Sequence, residues 1–248
     1  MIRLIALAVT AIVSLPLQAQ TLTFCGDSAG WPPYTYEENG VVKGYDVDVL
    51  KAILEPQGIT VDVQMLPWKR CLQDTDNGKI HAALSASAND ERRKKYRLTE
   101  YYYTVQPSYI YVKERFPGGV QLTASEALKQ HKICGLRGYN YDGFGLSSEK
   151  VDRDTNNFKQ LFQKTKAGRC DLILARYEIL VGFALMGENY LTDEWGYNAI
   201  PGIEGDKFYM LVSRNIPDSE AVEKKLSDGI KQLRSEGKLE ALLKPYLN

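Results

Sequence analysis

Ser85-Ala86-Ser87 stands two residues ahead of Asn89-Asp90-Glu91-Arg92. Asn89 is a good N-cap, and Asp90 and Glu91 suit a first helical turn. Small hydroxyl residues that end a strand just before a helix start leave N–H groups and hydroxyls free for an anion. An arginine in that first turn adds a planar fork that fits a carboxylate. Arg92 and Arg93 both qualify for that place, whereas Lys94 and Lys95 read as a solvated helix face. Trp31 sits in a loop between Gly30 and Pro32-Pro33, and Trp68 opens a helix after Pro67. Each ring is either a ligand platform or an anchor from loop to core. Asp27 ends a strand, where it either caps the following loop or orients a ligand. Further on, Arg137-Gly138-Tyr139-Asn140-Tyr141 reads as a strand-to-helix turn. Gly138 lets backbone approach a ligand there, and Asn140 can cap or donate.

The elements that must position these residues alternate. Strands are expected over 21–25, 59–65, 80–84, 109–113, 132–136, 171–174 and 208–213. Helices are expected over 45–54, 68–76, 90–97, 125–130, 158–167, 177–186, 219–236 and 239–246. Asn39-Gly40 is a hairpin-turn signal between 34–36 and 41–43. Strands alternating with helices argue for parallel βαβ units and an α/β class. The pattern restarts after 113 without a flexible linker, so two lobes joined by crossing strands are expected. Ligands of open α/β sheets sit at the carboxyl ends of the strands, and two facing lobes make a cleft that a hinge can close.

Composition narrows the function classes. Lysine plus arginine and aspartate plus glutamate each total 31, a formal charge of zero. That balance argues against nucleic acid or an anionic membrane as partner. The two histidines, the lack of a Cys-x-x-Cys pair and the lack of a phosphate-binding loop remove the usual metal, redox and nucleotide motifs, and no cofactor is expected. Met1-Ile2-Arg3, an apolar run from Leu4 to Leu15 and the small residue Ala19 read as a secretory signal peptide over 1–19. The run is too short to span a bilayer, and no stable membrane insertion is expected. Four cysteines in an exported chain invite pairing. Cys25 with Cys71 and Cys134 with Cys170, one bridge per lobe, is the expected connectivity; free buried thiols are the alternative.

Four stretches then resemble one family, the bacterial extracellular solute-binding proteins of family 3, type II periplasmic receptors of the polar amino acid class. They are Gly26-Asp27 with Trp31-Pro32-Pro33-Tyr34-Thr35-Tyr36; Gly44-Tyr45-Asp46-Val47-Asp48-Val49; Gly78-Lys79-Ile80 leading through Ser85-Ala86-Ser87 to Asn89-Asp90-Glu91-Arg92 and Leu98-Thr99; and Gly135-Leu136-Arg137-Gly138 with Ala167-Gly168-Arg169-Cys170-Asp171. The resemblance covers the whole chain after the leader.

It implies a two-lobed α/β periplasmic binding protein type II fold, each lobe a sheet flanked by helices, joined by a two-strand hinge. Lobe 1 would span 21–109 plus 206–248, and lobe 2 would span 110–205. It implies a periplasmic monomer that captures a small polar, carboxylate-bearing ligand, an amino acid or something like one, for an inner-membrane ABC permease. Trp31 and Trp68 would sandwich the ligand. Ser85, Ser87 and Arg92, or Arg93 in its place, would hold the carboxylate together with the turn of Arg137, Tyr139 and Asn140. Amino acid receptors of the family carry an acid for the α-ammonium group where this chain has Arg176. Either Glu178 or Asp27 takes that role, or the ligand is not a standard α-amino acid; Arg92, Arg137 and Arg176 together would favour more than one carboxylate. The alternatives are an enzyme on the same fold, similar to cyclohexadienyl dehydratases with Glu178 as acid or base, and a ligand sensor without a permease.

Overall fold

Threonine alternates with Leu22 and Phe24 along β1 (Thr21–Asp27), and both apolar side chains are buried. The computed structural model describes residues 20–247; the leader expected over 1–19 lies outside the described residues. Asn39 and Gly40, both at positive φ, turn β2 (Tyr36–Glu38) into β3 (Val41–Lys43). α1 (Tyr45–Leu54) buries Val49, Leu50 and Ile53 on one face, and Gly58 in the left-handed region ends the short turn after it. β4 (Thr60–Leu66) then pairs in parallel with β1. α2 (Trp68–Asp76) starts after Pro67, and β5 (Ala82–Ser87) pairs in parallel on the other side of β1. α3 (Asp90–Lys95) is capped by the Asn89 side chain, which accepts from the Arg92 N–H. Two short strands, β6 (Tyr96–Leu98) and β7 (Tyr103–Val105), complete this part.

The chain changes sheets at Gln106. β8 (Pro107–Val112) already belongs to the second sheet, ahead of the expected boundary at 109. There follow β9 (Ile133–Leu136), β10 (Asp152–Thr155), α4 (Phe158–Lys166), β11 (Leu172–Arg176), α5 (Tyr177–Gly182) and β12 (Trp195–Ala199). Residues 200–205 lead back to β13 (Asp206–Ser213), which inserts into the first sheet, and α6 (Ser219–Ser235) and α7 (Lys238–Leu243) cover it.

The first sheet runs β4-β1-β5-β13-β6 with β7 also on β13, and the second runs β10-β9-β11-β8-β12. Both are mixed rather than wholly parallel. β13 is antiparallel to β5, and β8 is antiparallel to β11 and β12. A strand that enters a sheet from the other lobe comes in without a crossover helix, so nothing forces it parallel. The four strands the sequence reading missed are short. β10 is the charged stretch Asp-Arg-Asp-Thr, and its strand conformation comes from pairing with β9 rather than from its own propensity. The expected helix over 125–130 is a 3-10 turn, and the expected helix over 177–186 closes as a 3-10 turn after Gly182.

Both expected disulfides are present. Cys25 at the end of β1 joins Cys71 in α2 with Cα atoms 5.7 Å apart, and Cys134 in β9 joins Cys170 ahead of β11 at 5.9 Å. These separations are ordinary for the bond. Each bridge clamps a strand whose end, or the turn just beyond it, faces the space between the sheets. No helix among the described residues is long and apolar enough to cross a membrane.

Candidate functional site

The carboxyl ends of β1 and β5, the first turns of α2 and α3, the turn after β9 and the last residue of β11 line one narrow cavity between the sheets. Nine of the ten expected site residues line it: Asp27, Trp31, Trp68, Ser85, Ser87, Arg92, Tyr139, Asn140 and Arg176. Arg137 does not. It follows the buried Leu136, just beyond the end of β9. Arg137 is exposed and donates to the Asp154 carbonyl at 3.0 Å, on the outer groove. The expected grip on a carboxylate by Arg137 is therefore corrected. Between the two arginines of α3 the fold selects Arg92, which turns inward while Arg93 faces solvent.

Arg92 is 7% exposed. Its Nη1 donates to the Ser87 carbonyl at 2.8 Å and to Ser87 Oγ at 3.3 Å, and its Nη2 reaches the Gly138 carbonyl at 3.4 Å. All three acceptors are neutral, and among the described residues no carboxylate pairs with it. Burial, and then the nearby Arg176 charge, lowers its pKa to about 10. It remains a cation at neutral pH, lying over the Trp68 ring at 5.6 Å.

Ser85 holds a left-handed backbone, φ +53°, which few residues other than glycine adopt. Such strain persists where the surroundings over-determine it. Here the Ser85 N–H donates to the Tyr102 hydroxyl, Ser85 Oγ donates to Asp46 Oδ2 at 2.6 Å, and the Tyr103 hydroxyl donates to Ser85 Oγ at 2.7 Å. Trp31 Nε1 extends the chain by donating to Tyr103 at 3.0 Å. Asp46, wholly buried at the start of α1, also accepts from Thr35. Burial raises its pKa to about 6, against the hydroxyls of Ser85, Thr35 and Tyr102. One carboxylate behind the wall thus orients Ser85, Thr35 and, through Tyr103, the Trp31 ring. Trp31 also stacks on Phe208 of β13 at 5.5 Å, so one of its faces is already covered.

Tyr139 and Asn140 of the second lobe reach across. The Tyr139 hydroxyl donates to Asp27 Oδ2 at 2.7 Å. Asn140 Nδ2 donates to Ser87 Oγ at 3.1 Å and to the Ala88 carbonyl at 3.0 Å. Asp27 Oδ1 accepts from the Ala29 N–H at 3.0 Å. Burial pushes the Asp27 carboxyl up, opposed by the Ala29 N–H, the Tyr139 hydroxyl and the Trp68 N–H. Asp27 therefore both caps its loop and joins the lobes.

Arg176, 2% exposed, ends β11. Its Nη2 donates to Asp206 Oδ2 at 2.6 Å and to the Asn140 carbonyl at 3.1 Å, while its buried Nε–H has no partner among the described residues. Glu178, the other acid considered for a ligand's ammonium group or for catalysis, is committed elsewhere. Both its oxygens accept from the Gln106 N–H, at 3.1 and 2.9 Å, where the chain changes sheets, and it is not part of the cavity wall. The sequence reading missed Thr35, Leu84 and Phe208 in the wall and Asp206 beside it. Thr35 lies inside a stretch already singled out; Phe208 and Asp206 carry no local signal.

The model of the bacterial extracellular solute-binding proteins, family 3, matches residues 24–248. The chain belongs to that family. Among relatives in the family, the arginine-binding extracellular protein ArtP of Bacillus subtilis (strain 168) is 23% identical over 234 residues, covering 89% of this chain and 84% of its own. A solved ancestral arginine-binding protein bound to arginine superposes with a TM-score of 0.73 at 19% identity, covering 92% of this chain and 98% of that one. An ancestral amino acid-binding protein described as a precursor of cyclohexadienyl dehydratase gives 0.69 at 17%, with 92% and 96% covered. At these identities the solved structures establish the two-lobed periplasmic binding protein fold. Family and fold together make the chain a solute-binding protein.

Proposed function

We propose that this protein is a periplasmic receptor that captures a small carboxylate-bearing ligand between its lobes and presents it to an inner-membrane ABC importer. One observation carries the reading: the Arg92 guanidinium is buried, charged and, among the described residues, without a carboxylate partner. An unpaired buried charge is costly, and a ligand carboxylate would offset that cost. The lobes would be 20–106 plus 206–247 and 107–199, hinged at Gln106 and at residues 200–205. The bonds of Tyr139 and Asn140 to the first lobe support closure around the ligand.

The relatives' names support an amino acid or a related acid as the ligand. An enzymatic reading has less support, because Glu178 is bonded to backbone at the crossing. The test is thermal unfolding of the protein with and without amino acids, organic acids and aromatic precursors, beside Arg92→Gln. A binder at 100 times its dissociation constant stabilises by about 2.7 kcal/mol. A shift in the parent protein that is lost in Arg92→Gln, with the compound recovered intact, supports the reading. A binder indifferent to Arg92 overturns the site, and a binder that is consumed means an enzyme.

A further inference from the structure

Gln106 is the single residue between β7 of the first sheet and β8 of the second, so a bend at this crossing must turn its φ and ψ. Its polar groups are nonetheless tied. Its N–H donates to both Glu178 oxygens, at 3.1 and 2.9 Å, and its carbonyl accepts from the Tyr177 N–H at 3.3 Å. Its side-chain Nε2 donates to the Ile203 carbonyl at 3.3 Å, in the other crossing. That other crossing is gripped a second time, because Asp206, where β13 begins, accepts from Arg176. Arg176, Tyr177 and Glu178 are consecutive at the junction of β11 and α5. One tripeptide of the second lobe thus holds both crossings, and its first residue lines the cavity.

Crossings tied to each other through Gln106, and to the same tripeptide, do not bend one at a time. A hydrogen bond to an ionised acceptor is about twice as strong as a neutral one, so Glu178 fixes the Gln106 N–H firmly. At the other end, the Arg176 guanidinium is boxed by the rings of Trp31, Phe144 and Phe208 at 5.8, 4.7 and 5.2 Å. Close-packed groups of this kind switch between discrete arrangements rather than deform gradually.

We propose, resting on the two-lobed receptor reading, that Arg176-Tyr177-Glu178 is a hinge clamp. Glu178 and Gln106 are its positioning residues and set the closed angle, and Arg176 ties that angle to the cavity wall. A ligand placed against Arg176 then biases both crossings together.

The experiment uses the full protein without ligand. Lys51 of α1 and Lys159 of α4 are exposed, one in each lobe, and all four native cysteines are in bridges. Lys51→Cys with Lys159→Cys therefore takes a pair of spin labels that read the distance between lobes. In that background Glu178→Gln is expected to raise the ratio of open to closed molecules roughly tenfold, the effect of losing one charged hydrogen bond. Gln106→Leu, which cuts the tie between crossings, is expected to move it the same way. Neither residue lines the cavity. In the paired variant Arg176→Gln with Asp206→Asn, the Gln106 amide is expected to exchange its hydrogen roughly tenfold faster, while amides in the middle of β1 and β9 keep their rates. Neither substitution touches a bond of Gln106, so a purely local role for the ion pair leaves that amide unchanged.

A ratio unchanged in either Glu178→Gln or Gln106→Leu overturns the clamp. An unchanged Gln106 amide in the paired variant overturns the tie to the cavity wall. If the paired variant unfolds and exchange rises everywhere, the ratio in the two other variants decides. With no ligand in the experiment, its failure leaves the Arg92 receptor test untouched, and failure of that test leaves the clamp measurable.

Discussion

On the first-lobe wall, Ser85 is held from three sides by groups of its own lobe: Tyr102, Tyr103 and Asp46. On the second-lobe wall, the Tyr139 hydroxyl and Asn140 Nδ2 donate to Asp27, Ser87 and Ala88 across the cleft, while Asn140 Oδ1 accepts from the Asp142 N–H of its own lobe. The first wall keeps its shape whether or not the lobes meet. Those two donors of the second wall find their acceptors only when they do. Substitutions behind the first wall therefore report on the shape of the site, and substitutions in the second report on closure.

The disulfides give the largest effects and test whether the walls are independently braced. Their sequence separations are 46 and 36. The chain-entropy estimate makes each worth about 4 kcal/mol. Denaturant unfolding of Cys25→Ser with Cys71→Ser, and of Cys134→Ser with Cys170→Ser, is expected to show similar losses. Only the first pair sits under the preorganised wall, so only its loss is expected to lower ligand affinity markedly.

Asp46 comes next. Its carboxyl, normally at 3.8, rises to about 6 through burial. The folded state then binds the proton more tightly than the unfolded chain. The resulting stability is fully present below about pH 4 and is lost as pH rises to about 6, amounting to about 3 kcal/mol. Asp46→Asn is expected to flatten that part of the pH–stability curve, as read by urea midpoints from pH 4 to 7. An unchanged slope would remove Asp46 from the account.

Two smaller effects sharpen the closure side. Tyr139→Phe removes a bond to a carboxylate, worth about 1.5–3 kcal/mol. Affinity for the cognate acid is expected to fall roughly ten- to a hundredfold, with each lobe's unfolding little changed. Gly182 of α5 lies against the Pro32 backbone, where an added Cβ would stand 2.5 Å from the carbonyl oxygen. Gly182→Ala favours the helix by up to about 1 kcal/mol yet blocks this contact between lobes. A more open particle in small-angle scattering, with about tenfold weaker binding, is the expected outcome. An unchanged particle would show that the lobes do not need this close approach.

Whatever depended on neighbours in the chain was legible in the residues. The Asn89 cap, the Asn39-Gly40 turn, the bounds of α1 and α2 and the hydroxyls at the end of β5 all follow from local hydrogen bonding, φ preference and apolar period. The likeness to a known family added the constellation around Trp31, Ser85 and Arg92. Tertiary structure alone decided the rest. Arg137 turned outward to the Asp154 carbonyl. Arg176 met Asp206, thirty positions away, because β13 re-enters the first sheet beside the cavity. Glu178 left the site for Gln106, and Phe208 came to back Trp31. These outcomes hang on where two distant crossings place strand ends against each other. Sequence spacing sets the direction of a side chain along its own strand, but not which strand lies opposite.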